Sequence, residues 1–260
     1  MIDTKKLQAY LDQIRDLLEP VSYDFASRMY AGGLEKYDRR LRQVGFHKCK
    51  HVLDAGSGTG QWSLALSQMC ERVTATDILE GRVFMLDGLV RTAGVDNLKV
   101  EYGSLRKLKY ADATFDGIIC YGVIFTTGDW KTTLREMARV LKPGGLIYVT
   151  GNGPGYYRQI WTEQPNKMEG HDPRKWAALA FYNTWRIDQG LDGLEVPLQI
   201  IPPDDMVKEL EGLGFEQVVR TAEGQYKDPT YDGPTEGSFF KGEYLGDVGV
   251  YEVVGKKVVK

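Results

Sequence analysis

Apolar residues recur along this chain with two periods. Leu7, Leu11, Ile14, Leu17 and Leu18 fall at helical spacing and stop at Pro20, and Leu34, Tyr37, Leu41 and Val44 repeat that spacing up to Gly45. These positions predict two amphipathic helices, with the tyrosine-rich segment Tyr23 to Tyr30 between them. From His51 onward, short apolar runs alternate with helical stretches. His51 to Ala55, Arg72 to Asp77, Leu98 to Tyr102, Phe115 to Tyr121 and Leu146 to Thr150 read as strands. Val83 to Val90, closed by Gly94, and Leu134 to Leu141, closed by Lys142-Pro143-Gly144-Gly145, read as helices between them. Met206 to Leu213 is a further helix, and Phe215 to Val219 and Asp247 to Val254 complete the strands. Strands and helices that largely alternate predict an α/β domain with an open, doubly wound sheet.

The first strand runs into Asp54-Ala55-Gly56-Ser57-Gly58-Thr59-Gly60-Gln61-Trp62, where an apolar run breaks into glycines as a helix must begin. Alternate glycines allow positive φ and let a ligand approach the main chain where a Cβ would collide. The spacing excludes two common nucleotide loops. No lysine follows Gly60, as a Walker loop requires, and Gly56-x-Gly58-x-Gly60 departs from the G-x-G-x-x-G dinucleotide fingerprint. A carboxylate at Asp54 would repel a pyrophosphate and favour a ligand carrying positive charge. Asp77 ends the second strand where an open α/β sheet places an acid on ribose hydroxyls; the competing role is a solvated helix cap.

The run from Asp54 to Gly60, together with Leu141-Lys142-Pro143-Gly144-Gly145 between helix and strand, resembles the class I S-adenosylmethionine-dependent methyltransferases. The ligand this implies is S-adenosylmethionine (SAM), whose ammonium and sulfonium suit Asp54. The resemblance is specific over about residues 50 to 150 and general over 203 to 260. It implies a Rossmann-like, seven-stranded sheet with an antiparallel last strand. It also implies cofactor contacts at Asp54, Gly56, Ser57, Gly58, Gly60 and Asp77, with Ile78 packing on the adenine. Ser104, next to Leu105, stands where relatives carry an acid toward the adenine amino group. Tyr30 and Tyr37 are candidates because the segment before the first strand commonly folds over the cofactor in this family, with core packing as the alternative. Tyr121 and Phe125 follow the fourth strand at the ligand edge, near the expected place of methyl transfer; ordinary packing under the loop is their alternative.

Composition narrows the partner. The chain has 260 residues and a formal net charge of -3, with lysines and arginines scattered among acids, so no basic stripe points to nucleic acid. A small-molecule acceptor is expected instead. Three cysteines without metal-ligand spacing suit free thiols and no metal site. The lack of a long apolar span or a basic-then-apolar leader predicts a cytoplasmic protein that does not cross a membrane. One domain is expected, comprising a helical cap (1–47), a cofactor-binding core (48–150), an insertion (151–202) and the rest of the sheet (203–260).

The insertion concentrates Tyr156, Tyr157, Trp161, Trp176, Phe181, Tyr182 and Trp185, and reads as a lid that builds the acceptor pocket. Tyr156, Tyr157, Trp176 and Trp185, with Phe125, are the expected substrate contacts. A second insertion, Ala222 to Gly246, emerges at the same edge. Methyl transfer from a sulfonium is an in-line displacement, so the protein chiefly aligns the reactants and excludes water. An acceptor hydroxyl would also need a base. His171, in the lid, is the base candidate, against the reading of a surface histidine in a polar turn. The expected activity is methyl transfer to an O or N atom of a small molecule. RNA or protein methylation and a non-catalytic SAM-binding scaffold are the alternatives.

Overall fold

A computed structural model describes residues 2–165, 167, 171–192 and 197–259. Residues 168–170, in the stretch read from the sequence as a polar turn around His171, lie outside the described residues. Three helices open the chain: α1 (Thr4–Gln13), α2 (Pro20–Ala31) and α3 (Glu35–Val44). The tyrosine-rich segment is thus a helix of its own. Pro20 starts it rather than merely ending its predecessor, because a first helical position needs no N–H. Gly45, at φ 110°, ends α3.

The sheet consists of β1 (His51–Ala55), β2 (Arg72–Asp77), β3 (Leu98–Tyr102), β4 (Phe115–Cys120), β5 (Leu141–Asn152), β6 (Phe215–Ala222) and β7 (Val250–Lys257). Its spatial order is 3-2-1-4-5-7-6, with β7 antiparallel to both neighbours. The Lys142-Pro143-Gly144-Gly145 segment, expected as a helix stop, is the start of β5 itself, and its bulge against β4 absorbs the extra residues. The last strand begins three residues later than the apolar run suggested, because Glu243–Tyr244 and Asp247–Val248 form a short separate ribbon.

Helices cover both faces. α4 (Gln61–Ser67) and α5 (Glu80–Ala93) join α1 and α3 over Val52, Val73, Ala75 and Ile119. α6 (Trp130–Val140), α7 (Pro154–Glu163), α8 (Pro173–Asp188) and α9 (Pro203–Gly212) supply residues to the opposite core around Leu53, Ile118, Ile147 and Val149. Parallel strands buried on both sides read as continuous apolar runs, as β1 and β4 do.

The 222–246 segment is stitched to α3. Arg40 Nη2 donates to the Glu236 and Gly237 carbonyls at 3.1 and 2.6 Å, and the Gln43 amide donates to Tyr226 O at 2.7 Å and accepts from Glu236 N at 2.8 Å. Lys48 pairs with Asp228 at 2.8 Å. The N-terminal cap thereby holds the 222–246 strap along α3, with Asp228 beside the amino-terminal ends of β1, β4 and β5.

Candidate functional site

The turn between β1 and α4 is fixed to β2, since Gly56 N and Ser57 N both donate to Thr76 O at 2.8 and 3.0 Å. Gly56, Gly58 and Gly60 all have positive φ, at 82°, 54° and 82°. Their surroundings separate their roles. A Cβ at Gly56 would lie 2.5 Å from Val123, and one at Gly60 would lie 2.1 Å from Leu86, so these two glycines serve packing. At Gly58 the nearest atom would be 3.9 Å away, on the flexible Arg82 side chain. This glycine alone of the three faces open space.

Asp77 closes the other side of the turn. Its Oδ2 accepts from Gly58 N and its Oδ1 from Leu79 N, both at 2.9 Å. Each oxygen keeps a further lone pair for a hydroxyl. Asp54 lies beneath the turn, buried, and accepts from Ser63 Oγ at 2.5 Å. Burial pushes its carboxyl up to about 7, against the hydrogen bond from Ser63. Tyr30 is also buried, and its hydroxyl donates to Thr59 O at 2.6 Å, so it braces the turn from behind. Ile78 is 54% exposed beside Asp77, Ser104 is half-buried at the end of β3, and Leu105 packs into the core.

Beyond β4, Gly122 N donates to Thr150 Oγ1 at 2.7 Å, fixing the end of β4 to β5. Tyr121 turns toward α4 and the strap. Its ring lies 4.5 Å from that of Trp62, and its hydroxyl donates to Glu223 Oε1 at 3.0 Å. Trp62 continues the contact to Tyr37 at 4.9 Å and Phe239 at 5.9 Å. These rings touch one another, so they form a packed floor and not a cage. Behind it, Glu223 and Glu252 flank Arg40 at 3.6 and 3.5 Å, all three fully buried. Burial raises the Glu223 carboxyl despite the guanidinium.

The aromatic lid divides. Tyr156 lines a cleft of about 490 Å³ with Phe239, Phe240, Ser238 and Gln159. Tyr157 and Phe125, expected at the acceptor, are core residues at 1% and 9% exposure. Trp176 and Trp185 are exposed. Trp185 stacks on Tyr182 at 5.8 Å, and Trp176 lies 6.3 Å from the ring of His171. Neither the tryptophans nor His171 join the residues around the glycine turn and Tyr121. The spacing of apolar residues marked the α8 region as aromatic on several sides but not which side is covered. Sequence reasoning gave no role to Arg40, Trp62, Glu223 or Phe239. Trp62, two residues beyond Gly60, carried a usable signal; the other three, far apart in sequence, did not.

Residues 52–145 match the family described as a methyltransferase domain. Demethylmenaquinone methyltransferases of Staphylococcus aureus strains JH9 and Newman are 30% identical over 154 residues, covering 56% of this chain. The chain spans 62% of the length of these relatives. Residues 52–145 are thus similar to a methyltransferase domain and lie in a sheet of order 3-2-1-4-5-7-6. Among solved structures, a SAM-dependent methyltransferase from Methanosarcina mazei superposes with a TM-score of 0.54 at 17% identity, covering 81% of this chain and 93% of that one. One from Aquifex aeolicus gives 0.50 at 19%, covering 87% and 98%. At these identities they show the fold.

The residues present fit the cofactor of this domain. Gly58 leaves the main chain bare where a ligand would lie on it, Asp77 has lone pairs free for ribose hydroxyls, and Asp54 is an acid beneath the turn. Asp77→Ala is expected to weaken SAM and S-adenosylhomocysteine binding by about 10- to 100-fold, from roughly 1.5–3 kcal/mol of charge-assisted hydrogen bonding. Calorimetric affinity equal to the parent's would remove the ribose assignment.

Asp54 makes a second expectation for the same domain. Its carboxyl sits near 7 through burial, and a cation bound above it favours ionisation. SAM binding at pH 6 should therefore release most of one proton, and Asp54→Asn should abolish the release. Calorimetry in buffers of different ionisation enthalpy counts the protons; uptake, or no change, contradicts the placement.

Proposed function

We propose that this chain transfers the methyl group of SAM to an O or N atom of a small, flat acceptor. The observation that carries the reading is the bare Gly58 main chain between Asp77 and the Tyr121 end of β4. SAM supplies an electrophilic methyl group on a sulfonium. The chain's own residues supply placement: Asp77 takes the ribose, Asp54 biases the turn toward a cation, and Ile78 covers the adenine.

The acceptor belongs in the cleft between α7 and the strap. Tyr156, Phe239 and Phe240 give it aromatic walls, and the contact of Phe239 with Trp62 joins those walls to the start of α4. The staphylococcal relatives are named for a quinone, and a flat ring of that kind would stack on such walls. The scattered charges and the net charge of -3 give no support to an RNA substrate.

The test is direct. Purified protein should bind SAM and S-adenosylhomocysteine in titration calorimetry, and should form S-adenosylhomocysteine from SAM with a panel of quinols, phenols and amines. Phe240→Ala should raise the acceptor KM with cofactor affinity unchanged. Cofactor binding without turnover on any acceptor would favour a SAM-binding scaffold, and no cofactor binding would remove the reading.

A further inference from the structure

Helix α8 carries on its outer side the rings that the acceptor cleft does not use. Its inner side is fixed by fully buried Ala177 and Ala180, by Asn183 Nδ2 donating to Leu198 O at 2.7 Å, and by Ile200 N donating to Thr184 Oγ1 at 2.8 Å. At about 100° per residue, Lys175, Tyr182 and Arg186 stand opposite Ala177 and Ala180, with Trp185 beside them. Tyr182 and Trp185 are 50% and 52% exposed and stack on each other, and Arg186 lies 5.9 Å from the Tyr182 ring. α7, which meets α8 through Tyr157 and Phe181, adds exposed Trp161.

The charge on this helix runs against that of the chain. Arg174, Lys175 and Arg186 face a single acid within α8, Asp188 at its end, whereas the whole sequence is net acidic. Arg174 is tied to Asp172, and Lys175 has no ion pair among the described residues. Amphipathic rings with polar tips, set beside basic groups on one helix face, are the composition that settles at the headgroup level of a bilayer. No helix of the described residues is long and apolar enough to cross a membrane, so attachment would be from the surface.

We propose that the outer face of α8 docks on a membrane surface bearing anionic phospholipids, with Tyr182 and Trp185 entering the interface and Lys175 and Arg186 pairing with headgroups. The inference is independent of the methyl acceptor. Full-length protein is sedimented with phosphatidylcholine vesicles, with and without phosphatidylglycerol, and tryptophan quenching by brominated lipid reports depth.

The expected result is partition at least about tenfold stronger to the anionic vesicles, falling as salt rises. Tyr182→Ser with Trp185→Ser, and separately Lys175→Glu, should each lower it by about tenfold while the thermal melt stays at the parent's. Tyr182, Trp185 and Lys175 are exposed, so the folded state should survive both changes; Arg186 is left in place because it is half-buried and its Nε donates to Asp192 O at 2.9 Å. No partition, or equal partition by parent and variants, would overturn the proposal. So would self-association of the parent that the serine variant abolishes, because the face would then be covered by a second copy. S-adenosylhomocysteine affinity, measured alongside, reports on the methyltransferase reading separately.

Discussion

Gly58→Val is expected to abolish binding of SAM and S-adenosylhomocysteine while the protein still unfolds cooperatively, a few degrees below the parent. Gly58 has φ 54°, where a β-branched residue is strained by roughly 1–3 kcal/mol. That strain is the main cost within the protein, because the added Cβ would find nothing closer than 3.9 Å. The valine methyl groups would instead stand in the open space over the turn, where the proposed cofactor site lies against the main chain.

Gly60→Ala is the contrasting case. Its Cβ would fall 2.1 Å from Leu86, a fully buried core residue, so the core itself must move, at a cost of about 1–3 kcal/mol in addition to the left-handed strain. Thermal melts and calorimetry on both variants therefore give opposite patterns: lost binding with retained fold at Gly58, and lost stability at Gly60. Parent affinity in Gly58→Val would place the ligand elsewhere.

Arg40→Met should destabilise the protein by roughly 3–5 kcal/mol, the usual consequence of removing one partner from a buried ionic cluster. The guanidinium stands between Glu223 and Glu252 with no exposure on any of the three, and it also holds the Glu236 and Gly237 carbonyls of the strap. Its loss leaves two buried carboxylates facing each other. The pH dependence has a definite sign. Glu223 already lies above the usual carboxylate range through burial, and without Arg40 it rises further. A carboxyl whose folded pKa exceeds its unfolded value binds more protons when folded, so stability falls as pH rises between the two. Urea melts at pH 5.5 and 8.5 should show the larger deficit at 8.5, and Glu223→Gln should restore part of it. A variant within about 0.5 kcal/mol of the parent at both values would mean that the cluster is not what secures the strap.

The glycine turn, the acid ending β2 and the succession of strands and helices were legible because each rests on local chemistry, whereas the seven-stranded sheet with an antiparallel last strand was implied by the family resemblance and its order came from the structure. Positive φ favours glycine, and a periodic apolar pattern marks elements. The lid was legible only as a concentration of rings. Tyr157 and Trp185 look alike in sequence, yet one is 1% exposed against β5 and α8 and the other 52% exposed on the outer side. A helix with apolar residues on several sides does not declare which side its neighbours cover, because that depends on where α7 and the 198–201 segment lie.

By itself the sequence determined the α/β plan, the placement of the nucleotide-type turn after β1 and the carboxylates Asp54 and Asp77 at its edge. The requirements behind these features are steric and periodic within a few residues. Only the tertiary structure decided which glycine faces open space and which meet Val123 and Leu86. It alone brought Arg40 between Glu223 and Glu252, set Phe239 against Trp62, and divided the lid into a cleft wall at Tyr156 and an outward face at Tyr182 and Trp185. Buried charge and cavity shape are properties of neighbours brought together across the whole chain, and no single stretch of it encodes them.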